Sequence, residues 1–281
     1  MANSNSSNQA LAGFSGSLVL VGAGKMGGAM LQGWLALGFD PAKAVVFEPQ
    51  PSRDLADLAA RGVRLNPPVD RVGGAAAMVV AVKPQVAGEV VPTYARLVGA
   101  DTVAVSIMAG QTLKTLSGLL PSGAAIVRSM PNTPAAIGRG ITVAVANAQV
   151  SRAQRELADR LLAAVGAVEW VTDEALMDAV TAVSGSGPAY VFLLAEAMAA
   201  AGVAAGLPPA LAAKLARETV AGSGELLHRS DLDPAVLRQN VTSPGGTTAA
   251  ALEVLMAPQG LQPLIEKAVA AATRRSRELA G

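Results

Sequence analysis

A four-residue apolar run, Leu18 to Val21 (LVLV), ends on Gly22-Ala23-Gly24-Lys25-Met26-Gly27. A short, continuous apolar run closed by glycine is the pattern of a strand buried on both faces of a parallel sheet. The GxGxxG spacing that follows has its own geometric logic. The first glycine makes a tight turn, the second lets a pyrophosphate approach the backbone, and the third lets a helix pack close to the sheet. A helical apolar pattern follows from Met26 to Leu37 and closes at Gly38. Strand, glycine turn and helix in this order predict a dinucleotide site at the helix N-terminus.

The alternation continues. Val45 to Phe47 reads as a second strand and Leu55 to Arg61 as a second helix, closed by Gly62. Met78 to Val82, Val103 to Ile107, Ala125 to Val127, Ile141 to Val145 and Val168 to Val171 are further strands. Strand-helix alternation of this length predicts a doubly wound sheet with helices on both faces. From Asp173 the strand signal stops. Helical patterns cover Ala175 to Val183, Pro188 to Ala201, Pro209 to Ser223, Pro234 to Gln239, Thr247 to Leu255 and Leu261 to Glu278.

The expected organisation is therefore a disordered polar tail over 1–17, an α/β Rossmann-type domain over 18–172, and an all-α domain over 173–281. The helix carrying Phe192, Leu193, Glu196 and Met198 is apolar nearly all round, which points to a two-fold dimer interface more than to burial within one chain. Ser184, Ser186, Pro188 and Glu196 interrupt the most apolar stretch, Ala179 to Leu207, and favour a packed helix over a membrane span. Arg274, Arg275 and Arg277 read as a solvated C-terminal turn.

Composition removes several function classes. A net charge of +1 offers no basic field for nucleic acid. The absence of cysteine excludes disulfides and thiolate chemistry and is compatible with the cytoplasm. His228 is the single histidine, so a multi-histidine metal cluster is excluded; no metal site is expected, and His228 is read as structural.

Candidate ligand-binding residues fall at the carboxyl ends of the strands. Glu48 follows Gly27 by 21 residues, where an acid can bind a ribose 2′-hydroxyl and favour NAD(H). Arg53 could pair with a 2′-phosphate and favour NADP(H); the two signals oppose each other. Ala81-Val82-Lys83-Pro84 and Ile107-Met108-Ala109 are loops placed to touch cofactor, and Ser129 to Pro134 (SMPNTP) is a stiff loop presenting Asn132 and Thr133 near the nicotinamide end. In the helical half, Asn240-Val-Thr-Ser243-Pro-Gly245-Gly246-Thr247-Thr248 carries no charge. Its two glycines would let the amides of Gly246, Thr247 and Thr248 converge at a helix N-terminus, a site suited to a carboxylate, with hydroxyls from Ser243, Thr247 and Thr248. A glycine loop with an ordinary Ser/Thr cap is the competing reading.

The motifs GAGKMG, AVKPQ, SIMAG, SMPNTP, AVSGSGPAY and NVTSPGGTT, in this order and spacing, resemble the pyrroline-5-carboxylate reductase family from about Leu18 to the C-terminus. The resemblance implies hydride transfer from a nicotinamide cofactor to the C=N carbon of Δ1-pyrroline-5-carboxylate, giving L-proline. NADPH is the expected cofactor and NADH the alternative, since Glu48 stands where many relatives have a smaller or neutral group. Gly22 to Gly27, Lys83, Pro84 and Ile107 to Ala109 match the family's cofactor contacts. Asn240, Ser243, Gly246, Thr247 and Thr248 match its substrate pocket, with the Thr248 hydroxyl on the ring nitrogen. A homodimer with interlocked helical domains, assembling further into a decamer, is also implied. A 3-hydroxyacid or 6-phosphogluconate-type dehydrogenase would need a lysine in the first long helix of the second domain, and residues 175 to 201 contain none. A non-catalytic nucleotide sensor would have no use for the TSPGGTT turn.

Overall fold

The computed structural model describes residues 11–280. Its contacts divide the chain into two compact units. One runs to Gly185 and takes back the residues from Thr273 onward, and the other is Ser186–Ala272. The division thus falls beyond the change of sequence pattern at Thr172–Asp173.

The first unit is built on an eight-stranded sheet: β1 (Ser17–Val21), β2 (Ala44–Phe47), β3 (Arg64–Leu65), β4 (Ala75–Val80), β5 (Val103–Ser106), β6 (Ala125–Met130), β7 (Gly140–Ala146) and β8 (Gly166–Trp170). Their order is β3-β2-β1-β4-β5-β6-β7-β8. Its helices are α1 (Lys25–Ala36), α2 (Arg53–Ala60), α3 (Ala87–Tyr94), α4 (Leu113–Leu119), α5 (Arg152–Leu162) and the short α6 (Met177–Val180). The parity of LVLV serves both faces: Leu18 and Leu20 join one core with Met30, Leu31 and Trp34 of α1, while Val19 and Val21 join the other with Val91 of α3 and Leu116 of α4. Trp34 is fully buried and donates from Nε1 to the Leu161 carbonyl at 2.8 Å. Trp34→Phe is expected to cost about 2 kcal/mol, since it deletes a buried donor and leaves a small gap. Urea denaturation would check this, and an unchanged midpoint would show that the bond contributes nothing.

The structure departs from the sequence reading in several places. Residues 1–10 of the expected tail lie outside the described residues, but Leu11 and Phe14 are not tail. They are buried in the core; Phe14 packs edge-on to Phe39 at 5.0 Å, and the Leu11 N–H donates to the Leu37 carbonyl. All strand pairs are parallel except β6–β7, which is antiparallel. Only residues 131–139 join those two strands. A parallel crossover needs about a dozen residues or more, so the chain turns back instead. The two-residue β3 carried too little pattern to be read. The helix expected over Ala175 to Val183 is a composite: a 3₁₀ turn (Glu174–Leu176), α6, and a π-helical turn (Thr181–Gly185). Nor are the C-terminal arginines simply solvated. Ser276 bonds the Asp178 carboxylate at 2.7 Å, and the Arg277 Nε lies 3.7 Å from its other oxygen.

The second unit is helical: α7 (Gly187–Ala204), α8 (Pro209–Arg229), α9 (Pro234–Asn240), α10 (Thr247–Leu255) and the greater part of α11 (Leu261–Ala280). Its only buried apolar residues are Ala212 and Ala216. Phe192 and Leu193 remain 62% and 63% exposed. Within this unit, burial of α7, the lesser of the two expectations, is not seen among the described residues. By length and composition alone, Glu174–Ala204 could cross a membrane.

Candidate functional site

Gly22 and Gly27 fill the turn and packing roles their spacing predicts, and Gly24 leaves the backbone uncovered. Gly22 has φ +90°, and a Cβ there would lie 2.8 Å from the Ala81 carbonyl carbon. A Cβ on Gly27 would collide with the Gly22 carbonyl oxygen and crowd Ala81 Cβ, so α1 packs down on the β1 and β4 ends only because residue 27 lacks one. Around Gly24 there is open space. Gly24 is also the N-cap of α1, and no side chain caps the helix. Among the described residues, the first-turn amides of Lys25, Met26 and Gly27 therefore have no protein partner. An uncapped helix N-terminus beside open space is a seat for an anion. The side chain of Met26 packs partly against the core.

Two grooves flank this turn. One, of about 460 Å³, is lined by Ala23, Gly24, Lys25, Gln50 and Ser52. The other, of about 950 Å³, has an apolar wall of Pro67, Pro68, Val69, Val86 and Tyr94 and is edged by Ala81, Val82 and Lys83. Tyr94 stacks on Phe47 with 4.3 Å between centroids, and burial pushes its hydroxyl above the usual range, so it is neutral at pH 7. Glu48 lines both grooves. The amide seat, the open space and a wall able to take a flat base fit a dinucleotide.

The structure places the expected contacts as follows, and it moves some of them away from the ligand. The Ala23 N–H is not free for a ligand, because it donates to Glu48 Oε2 at 2.9 Å. Arg53 begins α2, is exposed, and lines neither groove, while its neighbour Ser52 caps α2. Lys83 is exposed and precedes Pro84, which opens a 3₁₀ turn. Met108 is buried in the core, so its side chain cannot meet a cofactor; Ile107 is half-buried and Ala109 exposed. Asn132 does not present its amide to a ligand: its Oδ1 accepts from Ile141 N–H, and its Nδ2 donates to the Ser184 carbonyl. Asn66, which the sequence reading passed over, lies at this site with its side chain on the backbone of Glu48. The one local cue was its place before a Pro-Pro pair.

In the second unit, the turn after Pro244 is made by Gly245, with φ +71°, a conformation side chains rarely adopt. Gly246 is the N-cap of α10 and no side chain caps the helix, so the ordinary Ser/Thr cap is absent. The Gly246 N–H is spent on the Ser243 carbonyl at 3.0 Å. Among the described residues, the open donors are those of Thr247, Thr248 and Ala249, one residue further along than expected. The Thr248 side chain is half-buried, whereas Asn240, Ser243 and Thr247 are exposed. His228 lies on the last turn of α8 and is exposed.

Comparison with known proteins bears on both units. The family described as pyrroline-5-carboxylate reductase dimerisation matches residues 174–279, and that described as NADP oxidoreductase, coenzyme F420-dependent, matches residues 17–110. The pyrroline-5-carboxylate reductase of Pseudomonas aeruginosa is 41% identical, over 94% of this chain and 96% of its own length. The chain belongs to the pyrroline-5-carboxylate reductase family. The solved family structure from Coxiella burnetii superposes with a TM-score of 0.86 at 34% identity, covering 95% of this chain and 99% of that one. The Plasmodium falciparum pyrroline carboxylate reductase, solved with NADP bound, gives 0.78 at 28% identity, covering 94% and 98%. Membership disfavours the hydroxyacid-type dehydrogenase reading, whose lysine is missing here, and the non-catalytic sensor.

Proposed function

We propose that this chain reduces Δ1-pyrroline-5-carboxylate to L-proline with a nicotinamide cofactor, the last step of proline biosynthesis. The observation that carries the reading is the open N-terminus of α10, a carboxylate seat built from the amides of Thr247, Thr248 and Ala249 with no charged side chain. Bound in the first unit's cradle, the cofactor would supply the hydride. The residues of the chain do the rest. The α10 amides and helix dipole hold the substrate carboxylate. Ser243, whose carbonyl takes the Gly246 N–H, borders the seat; Asn240 is assigned to the substrate with it, and the Thr248 hydroxyl to the ring nitrogen. A cyclic imine is basic enough to be partly protonated near neutral pH, and the protonated C=N is already a good hydride acceptor. Orientation and exclusion of water then do most of the catalysis, which explains a turn with no acid or base.

The cradle residues Gly22 to Gly27, Glu48, Ala81 to Pro84 and the Ile107–Ala109 backbone are assigned to the cofactor. NADPH and NADH both fit the cradle, and Glu48 is the residue that weighs between them. Glu48→Ala is expected to shift kcat/KM toward NADPH by about 10-fold, the loss of one charged contact. An unchanged ratio would show that Glu48 does not read the 2′ position.

The exposed apolar faces of α7, α8 and α10 support a homodimer formed through the second unit, and assembly of such dimers into a decamer belongs to the same proposal. Sedimentation of the purified chain tests this; a stable monomer would exclude it. A soluble enzyme of the cytoplasm is the matching location. The activity itself is tested by following NADPH and NADH absorbance with pyrroline-5-carboxylate. No oxidation of either cofactor would sink the assignment.

A further inference from the structure

Asn66 is the only non-glycine residue with positive φ (+46°) among the described residues. Such a conformation persists where surrounding contacts over-determine it. Here the backbone contact goes to Val46 and both side-chain contacts go to Glu48. The Asn66 N–H donates to the Val46 carbonyl at 2.8 Å. Its side chain then turns back on Glu48: Oδ1 accepts the Glu48 N–H at 2.9 Å, and Nδ2 donates to the Glu48 carbonyl at 2.8 Å. The amide side chain thus extends the β2–β3 ladder by one residue past Leu65. No backbone donor is offered to the Glu48 carbonyl here, because residues 67 and 68 are prolines without N–H groups.

The clasp continues outward through the Glu48 side chain. Oε2 accepts the Ala23 N–H of the glycine turn at 2.9 Å, and Oε1 accepts the Gln50 N–H at 3.0 Å. A carboxylate has about four acceptor sites, so each oxygen retains one for a ligand. Glu48 and Asn66 line the same groove of about 950 Å³. An unrestrained glutamate at a strand end could swing away from a 2′-phosphate and tolerate it. Held at backbone and carboxylate alike, Glu48 cannot yield without breaking its bond to the glycine turn.

We propose that Asn66 is a positioning residue that presents Glu48 to the adenosine ribose, so that a free 2′-hydroxyl is selected over a 2′-phosphate. The proposal rests on the dinucleotide reading of the cradle and deepens it toward NADH. The test compares Asn66→Gly, which accepts positive φ without strain but has no clasp, with the unaltered chain. NADH and NADPH dissociation constants are read by fluorescence titration, together with kcat/KM for each cofactor and Tm. The expected result is a roughly 10-fold fall in NADH-over-NADPH preference, on the scale of one hydrogen-bonded contact. The shift should appear in the KM values for the two cofactors more than in kcat. In a Glu48→Gln background the same change should move the preference no further, because Asn66 acts through Glu48. A preference unchanged by Asn66→Gly, or an equal shift with and without Glu48, would overturn the proposal. Should Asn66→Gly fail to fold, Asn66→Ser, which loses the Nδ2 donor without adding a charge, carries the same expectations. Failure of the activity assignment would look different: neither cofactor oxidised by the unaltered chain, with the dissociation constants still measurable.

Discussion

Thr248→Ala is expected to lower kcat by about 10²–10⁴-fold if the hydroxyl relays a proton, and less if it only aligns the ring. Cofactor affinity should be nearly unchanged. Thr248 sits in the first turn of α10, where Gly246 is the N-cap and no side chain closes the helix. The amides of this turn can hold a carboxylate without it, so truncation removes one directional bond and leaves the seat. The effect should therefore appear in kcat far more than in cofactor dissociation constants. Thr248→Ser restores a hydroxyl and should recover most of the activity. Near-normal turnover in the alanine variant would remove Thr248 from the mechanism.

The second large effect is expected at Gly27. Gly27→Ala drives a Cβ into the Gly22 carbonyl, and Gly22 cannot retreat because Ala81 lies behind it. Over-packing of this kind costs about 1–3 kcal/mol. Because the displaced atoms are the cofactor cradle itself, cofactor affinity should fall about 10- to 100-fold with the Tm. Gly24→Ala is the informative partner. It has nothing within 4 Å and an extended φ/ψ that alanine tolerates. It should leave Tm near wild type yet weaken cofactor binding by intruding on the open space at the helix end. If both variants bind cofactor normally, the turn does not hold a pyrophosphate.

How legible each feature was in the sequence follows from how local its cause is. The opening strand is a four-residue pattern whose parity serves both faces of the sheet, and its glycines act on neighbours within a few residues or on the adjacent strand. The helix Thr247–Leu255 was likewise readable to the residue, because Gly246 and a run of helix formers fix its start. The Arg128–Glu174 pair, 2.8 Å apart with Arg128 buried, joins residues 46 apart in the chain and left no local mark.

The same distinction divides the site. The sequence by itself determined the strand–turn–helix cradle, the helical second half and the charge-free turn before α10, because each depends on side-chain period or glycine placement within a short window. Only the tertiary structure decided that Leu11 and Phe14 are core, that β7 runs back along β6, and that the apolar helices of the second unit stay uncovered by their own chain. It also decided that Glu48 spends its carboxylate on the Ala23 amide while Asn66 grips its backbone. Each of these rests on which distant atoms come within a few ångströms, and a linear pattern does not encode that distance.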